Sequence, residues 1–285
     1  MYEIVGWSDA HPSVEIWSST RLPFEPKGEM LQLRTEIRAA VRQVVVADGQ
    51  LLRAIYQSGQ TDVVDLDNVL FDNVGYAAFA ECGARGLVFE RSFGALQPAP
   101  TGSRYSHYSK YEAAPTSGQA GRNRRAVLRF AAATLPSLGD LSNVWELWSA
   151  VRRGDVEILE KGTRLPNSFG VDVVIEGGRR AAHPVRVLKY VLDGVIAGFH
   201  SHDGSAMDAV LAPVAASCHL GLAETRRLLL DSSVDVLGTR RLVWVRGDGV
   251  QINPADDRLS FAHVTSRSSS EPRIRIRGEL FAMNG

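Results

Sequence analysis

Alternating hydrophobic and polar positions predict several strands in the first half of the chain. In "SVEIWSS", Val14 and Ile16 face one way while Glu15 and Trp17 face the other, which is the period of a half-buried strand. The same kind of pattern predicts strands at "EIVGW", "LLRAIYQ", "GLVFERS" and "RYSHYSKYEA". The first half is therefore expected to contain a sheet.

Two helices are predicted between these strands. The first lies in the segment from Pro26 to Val45, where one face carries Leu31, Ile37, Val41 and Val44. The second begins at about Asp67, after the turn-like "SGQTD". Its apolar positions are Val69, Leu70, Val74, Ala77 and Ala78.

The second half shows the same mixture. Strands are predicted at "VLRFAAA" and, most clearly, at "NSFGVDVVIEG", where Phe169, Val171 and Val173 share one face. Helices are predicted at "SNVWELWSAVRRG" with Ser142 as the N-cap, in a segment that starts at Pro184, and at "LAETRRLLLDS". Near the end, "GDG" predicts a tight turn between two strands.

These elements predict an α+β fold of two related modules. Residues 116–126 are rich in Gly, Ser and Arg, as a loop or a linker is, and they divide the chain into modules at 1–115 and 127–285. Each module has a strand, a loop, a helix that begins with a polar cluster, and further β-structure. We therefore expect two modules fused as a pseudo-dimer.

Composition limits the class of protein. The 285 residues are 45% hydrophobic, which is typical of a globular chain, and they contain no apolar run that approaches about 18 residues. The start of the chain does not have the pattern of a signal peptide, and Cys82 and Cys218 have no paired spacing. We expect a cytoplasmic protein without a membrane segment.

The charge balance argues against a protein that coats DNA, because the formal net charge is zero. The cations are unusual in kind, since only four of the 32 are lysines: Lys27, Lys110, Lys161 and Lys189. Arginine is the better bidentate ligand for phosphate. A genome of high GC content gives the same bias.

The first candidate site is "DLDN", formed by Asp65, Asp67 and Asn68. One interpretation is a helix start, because acidic residues are favoured in the first turn. The other is a magnesium site, in which two carboxylates fix the ion and Asn68 faces a phosphate. The residues alone leave both interpretations open.

The second candidate is "KYVLDGVIAGFHSHDG". Lys189 lies in an apolar helical pattern, where it either extends its ammonium to water or pairs with Asp193 one turn later. His200, His202 and Asp203 follow the helix, and a His-x-His pair is conceivable as a zinc ligand set.

A third candidate is the arginine cluster Arg122, Arg124 and Arg125. These side chains either meet phosphate or belong to a solvated loop.

The segment "YQSGQTDVVDLDNVLFDNVG" resembles the central motif of the RusA-type Holliday-junction resolvases, a family associated with DNA recombination and repair. That motif has Asp-x-Asp-Asn at a helix start, a lysine three residues after the asparagine, and a further aspartate after the helix. The resemblance covers about residues 10–90 and 165–205. It implies that Asp65 and Asp67 are metal ligands and that Mg²⁺ is the cofactor.

The chain also departs from this motif. Phe71 occupies the place of the lysine, and the following segment offers no third aspartate. "HPVRVLKYVLDGVIAGFHSHDG" resembles the same helix and has Lys189 in the lysine place and Asp203 in the place of the third acid. Its Asp-x-Asp-Asn positions, however, are His183, Val185 and Arg186.

Two functions follow from the resemblance as expectations. One is a magnesium-dependent, structure-specific endonuclease that acts on nucleic acid, with Asp65, Asp67, Lys189 and Asp203 as its catalytic set and Asp65, Asp67 and Asp203 as metal ligands. The other is a catalytically inactive binding or scaffold subunit that joins partner proteins. We also expect Lys189 to pair with Asp193 or another nearby acid.

Overall fold

The computed structural model describes residues 1–7, 13–59, 64–116, 124–160, 165, 168–178, 181–247 and 249–283. They form a mixed α+β structure with a large mixed sheet. The chain divides into two compact units. Unit 1 comprises Met1–Asn123, His183–Arg186 and Asp257–Ser266, and unit 2 comprises Arg124–Ala182, Val187–Asp256 and Arg267–Gly285.

The strands follow one another along the chain as β1 (Tyr2–Trp7), β2 (Ser13–Ser18), β3 (Gln50–Ser58), β4 (Leu87–Ser92), β5 (His107–Pro115), β6 (Arg124–Ala131), β7 (Asp155–Ile158), β8 (Phe169–Glu176), β9 (Ser201–His202), β10 (Thr239–Arg240), β11 (Val243–Arg246), β12 (Gly249–Ile252), β13 (Leu259–Arg267) and β14 (Arg275–Met283).

The α-helices are α1 (Glu29–Val41), α2 (Val144–Arg153), α3 (Pro184–Gly198), α4 (Met207–Ser217) and α5 (Leu222–Leu230). Shorter helical turns of other types lie at Asn68–Asp72, Tyr76–Phe79, Leu138–Ser142 and Asp256–Arg258. Among the described residues, every helix is too short or too polar to cross a lipid bilayer.

In unit 1 the strands lie in the order β1-β2-β5-β3-β4-β13. β5 follows β4 in the sequence, yet it lies between β2 and β3 and is antiparallel to both. β3 is parallel to β4, and its Leu51, Leu52 and Tyr56 are buried. The strands predicted in the first half are confirmed.

α1 packs through Leu33, Ile37 and Val41, which recur at a spacing of four residues and are all buried. The prediction that Leu31 lies on the buried face is wrong, because that side chain is 44% exposed. Leu33, four residues before Ile37, takes its place.

The helix predicted from about Asp67 forms, but not as a continuous α-helix. Asn68–Asp72 is a π-helical turn, in which the Asn73 amide donates to the Asn68 carbonyl at 2.8 Å. Gly75 follows with a φ of 103°, which an L-residue rarely adopts, and it ends this turn before the 3-10 turn at Tyr76–Phe79. Such π-turns are frequent at functional sites.

In unit 2 the strands lie in the order β8-β14-β6-β7, and all neighbours are antiparallel. The strand predicted around Phe169 and the helix predicted from Pro184 are confirmed. The predicted N-cap Ser142 is wrong by one position. The cap is Asn143, whose side chain accepts a hydrogen bond from the Trp145 amide at 3.0 Å.

The two units share part of their order of elements. Unit 1 has β2, α1, β3, the helical turns of residues 68–79, and later β5, which lies between β2 and β3. Unit 2 has β6, α2, β8, α3, and later β14, which lies between β6 and β8. The units differ at β1, which precedes β2, and at β7, which follows α2. They differ again after the second helix, because β4 returns beside β3 in unit 1, whereas unit 2 continues into residues 199–256. We call these residues the insert.

Within unit 2, α2 and α3 approach closely at two glycines. A Cβ atom added to Gly194 would lie 2.6 Å from Leu147 Cβ, and one added to Gly198 would lie 2.4 Å from Val151 Cγ1. The insert adds α4, α5 and the β11–β12 hairpin, whose two strands pair antiparallel with Arg246 opposite Gly249. Asp248 of the predicted GDG turn lies outside the described residues.

Candidate functional site

A polar cavity of about 410 Å³ opens beside the π-helical turn in unit 1. Asp65, Asn68 and Asp72 line it together with Arg21, and the remaining lining residues are Pro23, Phe24, Val64, Val69 and Asn73. A concave site with a few convergent polar groups is the usual form of a binding site. The segment that carries the Asp-x-Asp-Asn motif therefore borders an open space.

The two aspartates of the motif have different surroundings. Asp65 is half-buried, lines the cavity and accepts a hydrogen bond from the Asn68 amide at 2.7 Å. Asp67 is only 1% exposed and does not line the cavity. Asp72, the last residue of the turn, is the second carboxylate at the cavity. The pair expected to bind Mg²⁺ together, Asp65 and Asp67, therefore does not share this open face.

Asn68 has a donor and an acceptor side. Its amide nitrogen binds Asp65, while its Oδ1 atom is buried and accepts no hydrogen bond from the described residues. The side-chain amide of Asn68, which was expected to donate to a phosphate, therefore donates to Asp65. This local hydrogen bond fixes the orientation of both side chains at the cavity.

Arg91 on β4 adds a positive charge next to this site. Its guanidinium donates to the Val64 carbonyl and, at 3.4 Å, to the Asp257 carbonyl. Burial lowers the pKa of Arg91, while the nearby Tyr56, Asp257 and Asp65 act in the opposite direction. Sequence reasoning missed Arg91, because it lies more than twenty residues from the motif and only the return of β4 beside β3 brings it near.

In unit 1, the position that corresponds to the lysine of the resembling motif holds Phe71, a core residue. Phe71 is fully buried and contacts Phe79 and Phe89 edge-on, with ring centroids 5.0 and 5.2 Å apart. Aromatic pairs in this geometry stabilise a core. The position that would hold a cation in the resembling family therefore supports packing here.

Lys189 of unit 2 lies between two carboxylates. Its Nζ atom is 3.1 Å from Asp193 Oδ1 and 3.1 Å from Asp256 Oδ2. The pairing expected with Asp193 is confirmed. Asp256 was missed, since 67 residues separate it from Lys189 in the chain and nothing in its local sequence indicates the contact. The ammonium is neutralised within its own unit.

Asp203, expected as the third acid beside Lys189, occurs in a turn before α4. Its Oδ1 atom accepts hydrogen bonds from the Ser205 amide at 2.9 Å and the Ser205 hydroxyl at 2.6 Å. The hydrogen bond from the Ser205 hydroxyl is the main cause of the lowered pKa of Asp203. Asp256, not Asp203, is the second carboxylate that contacts Lys189.

The positions that would complete the motif in the second half have other contacts. His183 Nε2 lies 2.6 Å from the Ala80 carbonyl within unit 1, Val185 is buried and Arg186 is exposed. None of these three side chains supplies a carboxylate.

The two histidines of "HSH" are held by backbone groups. His200 Nδ1 lies 2.8 Å from the Gly238 carbonyl. The Leu242 amide donates to His202 Nδ1 at 3.2 Å, so the proton is on Nε2, which donates to the Ser205 carbonyl at 2.9 Å. Within the described ranges, no group of three or more His, Cys, Asp or Glu side chains is placed to hold a metal ion.

Two of the three arginines predicted to meet nucleic acid lie on β6 and pair with acids. Arg124 Nη1 is 3.7 Å from Asp172, and Arg125 Nε is 3.1 Å from Glu160. Arg122 lies outside the described residues. The two described arginines therefore have counterions in unit 2.

No family model matches this chain, and no curated protein matches it in sequence. Its functional interpretation rests on the residues and geometry described above.

Proposed function

We propose that this protein binds nucleic acid through two diverged RusA-like modules and that neither module has a full catalytic set. The observation that carries the proposal is the complementary loss at the two motif helices. Unit 1 has Asp65 and Asn68 at a cavity but has Phe71 in the lysine place. Unit 2 has Lys189, neutralised by Asp193 and Asp256, but lacks the acidic motif.

The repeated order of elements supports the two modules. Apart from β7, which follows α2 in unit 2, each unit has a strand, a helix, a second strand and a second helical segment, followed by a strand that lies between the first two. A fused pair of modules is also physically sensible, because two-fold assemblies are the commonest kind of oligomer and fusion makes such a pair permanent. In this proposal the chain is a pseudo-dimer made by duplication.

The neutral net charge restricts the kind of binding. A chain with 32 basic and 32 acidic residues has no overall field that would draw it to any polyanion. Binding must then depend on local groups, and the chain would recognise a particular nucleic-acid geometry or act beside partner proteins. The charge balance favours a binding or scaffold subunit over a protein that coats DNA.

A second candidate function is magnesium-dependent cleavage at the cavity of unit 1. Asp65, Asn68 and Asp72 at one open cavity favour it. The expected ligand pair of Asp65 and Asp67 fits Mg²⁺ poorly, however, because Asp67 is buried, whereas magnesium keeps several waters on an accessible site. Mg²⁺ and the ligand set of Asp65, Asp67 and Asp203 therefore stay predictions.

Binding and cleavage can be separated in one experiment. The full chain is titrated against labelled four-way-junction DNA, linear duplex DNA and RNA, with EDTA or with Mg²⁺, and each sample is then analysed on a denaturing gel. We expect binding with and without Mg²⁺ and no cleavage. The absence of binding at about 100 μM protein, the weak end of non-specific affinity, would overturn the proposal.

Substitutions at the carboxylates of unit 1 test which of them any cleavage requires. If Mg²⁺-dependent products appear, Asp65→Asn combined with Asp67→Asn is expected to remove them, and Asp72→Asn tests the alternative carboxylate. Asp48→Asn is the matched control, since Asp48 is an exposed acid of unit 1 away from the cavity lining. Products that persist in both motif variants would come from a contaminant or another site.

A further inference from the structure

The insert contains two helices joined by a tight, well-defined turn. α4 ends at the cap Cys218, and His219 follows in the left-handed conformation with a φ of 53°. The Leu220 amide donates to the Ala215 carbonyl at 3.0 Å and the His219 amide donates to the Ala216 carbonyl at 3.3 Å, which ends α4. α5 starts at Leu222. A turn of this length joins the two helices of DNA-binding helix–turn–helix motifs.

A β-hairpin follows these helices and shares their core. Val210 and Val214 of α4, Leu228 and Leu229 of α5, and the hairpin residues Val243 and Ile252 belong to one buried cluster. The cluster also contains Trp145, Trp148, Ala197, Met207, Cys218 and Leu242. The two helices and the hairpin are therefore held as one body within unit 2.

α5 has one buried face and one exposed face that carries two arginines. Thr225, Leu228 and Leu229 are buried, whereas Arg226 and Arg227 are exposed. Leu222 and Leu230, at the two ends of the helix, are also exposed. Glu224 is exposed on the first turn and is the only acid on this helix.

The acids that follow α5 are already engaged. Asp231 lies 3.5 Å from Arg152 and accepts from the Ser233 amide. Asp235 accepts from the hydroxyls of Ser201 and Thr239. Asp235 is therefore engaged away from α5, whereas Asp231 also has a Coulombic interaction with Arg227 that contributes to the lowered pKa of this aspartate. Arg226 and Arg227 both remain exposed to solvent.

The outer face of the hairpin carries a fixed aromatic ring and another exposed arginine. The Arg241 guanidinium lies 4.1 Å from the centre of the Trp244 ring, and Trp244 is 43% exposed. With its amide oxygen facing the ring, Asn253 accepts from Trp244 Nε1 at 3.0 Å. Arg246 shares the outer face and donates to Gln251 at 3.0 Å.

We propose that residues 207–252 bind duplex DNA, with α5 in the major groove and the β11–β12 hairpin against the neighbouring backbone. Arg226 and Arg227 would contact phosphates or guanine edges, Glu224 would accept from a cytosine amino group, and Arg246 would bind a phosphate. The inference relies on the proposed function for nucleic acid as the class of partner. It adds the duplex form of that partner and a surface separate from the cavity of unit 1.

The test measures the binding of the full chain to a labelled duplex of about 24 base pairs, roughly two helical turns, by fluorescence anisotropy over a series of salt concentrations. Arg226→Ala with Arg227→Ala is expected to weaken binding at least about tenfold and to reduce the salt slope by about 2, since each lost phosphate contact removes about 0.9. Arg246→Ala is expected to reduce the slope by about 1.

The matched control is Arg273→Ala with Arg275→Ala, which removes the same charge from two exposed arginines of unit 2 outside the insert. Far-UV circular dichroism and urea midpoints verify that each variant is folded. If the α5 variant binds duplex as tightly as the control does, the inference is wrong while the proposed function stands. If the unaltered protein binds neither duplex, junction nor RNA, both are wrong.

Discussion

The helical turns after β3 and the helix after β8 occupy the same place in the order of their units, yet their polar groups are in opposite states. In unit 1, acids and an amide border an open cavity, and Arg91 lies close by. In unit 2, a single lysine is enclosed by two carboxylates. The polar groups of unit 1 line a cavity, whereas the lysine of unit 2 is paired with acids of its own unit.

The same position of the resembling motif has different surroundings in the two units. Phe71 and Lys189 correspond in the resembling motif, but one packs among aromatic rings and the other bridges two acids. A buried phenylalanine and a paired lysine are each stable in their own surroundings. Exchanging such residues between the two places should therefore be costly.

The largest expected effect comes from Phe71→Lys. The substitution would put an ammonium among the buried rings that contact Phe71, which offer it no carboxylate. We therefore expect the free energy of unfolding to fall by about 4 kcal/mol or more, or the protein to fail to fold. Urea unfolding measures the change. Phe93→Lys is the control, because Phe93 is 72% exposed and its substitution should cost less than about 0.5 kcal/mol.

Lys189→Met tests the opposite side of the comparison. Removal of the ammonium leaves Asp193 and Asp256, whose side chains are only 15% and 12% exposed, without the cation between them. We expect the free energy of unfolding to fall by about 1–3 kcal/mol, less than the full cost for a buried pair because the lysine is partly exposed.

The triple variant Lys189→Met, Asp193→Asn, Asp256→Asn should recover most of that loss, since it removes both charges that lost their counterion. Lys27→Met, at an exposed lysine, serves as the control for the loss of one positive charge. Equal stability of the single and triple variants would contradict the account of an enclosed ion cluster.

Asn68→Ala and Asn68→Asp sharpen the comparison at the open site. Alanine removes the hydrogen bond to Asp65, which we expect to cost about 0.5–1.5 kcal/mol. Aspartate removes the donor and also adds a like charge, so it should be the less stable of the two. Urea unfolding at neutral pH should rank the native protein first, alanine second and aspartate third, and any other order would show that the Asp65–Asn68 contact does not stabilise the turn.

The smallest effect concerns Asp203, the acid that does not reach Lys189. Its pKa is lowered in the folded protein, so its ionised form adds stability above its unfolded pKa of about 4, and that stability is lost as the pH falls through the lower folded value. Asp203→Asn should flatten the fall in stability below about pH 4. Ser205→Ala, which removes the main hydrogen bond, should reduce this fall by a similar amount. Urea unfolding between about pH 2 and 5 measures it, and a pH dependence that is unchanged in both variants would show that the Asp203–Ser205 hydrogen bond does not stabilise the folded state.

Periodicity predicted elements whose apolar faces repeat without interruption. β8 and α3 followed directly from the spacing of residues such as Phe169, Val171, Leu188 and Val191. The π-helical turn at Asn68 could not be predicted in this way. Its hydrogen bonds join residues five apart rather than four, and the spacing of apolar residues does not distinguish the two patterns. The helix α4 was also missed, since Pro213 interrupts its helical pattern.

The site was less predictable than the fold. The sequence identified Asp65 and Asn68, and the structure places both at one cavity. The contacts of Arg91 with the Val64 carbonyl and of Lys189 with Asp256 join positions far apart in the chain. Such contacts are set by strand order, and β5 and β14 take positions between earlier strands that no local pattern indicates.

That strand order has a consequence for synthesis and folding. During translation β6 and β8 are both made well before β14, and until β14 is available each has an open edge where its later neighbour will pair. Long-range strand pairing of this kind slows folding, and unpaired edges are prone to join the wrong chain. The whole insert is synthesised during this interval, so unit 2 must pass through a state with two exposed strand edges before its sheet is complete.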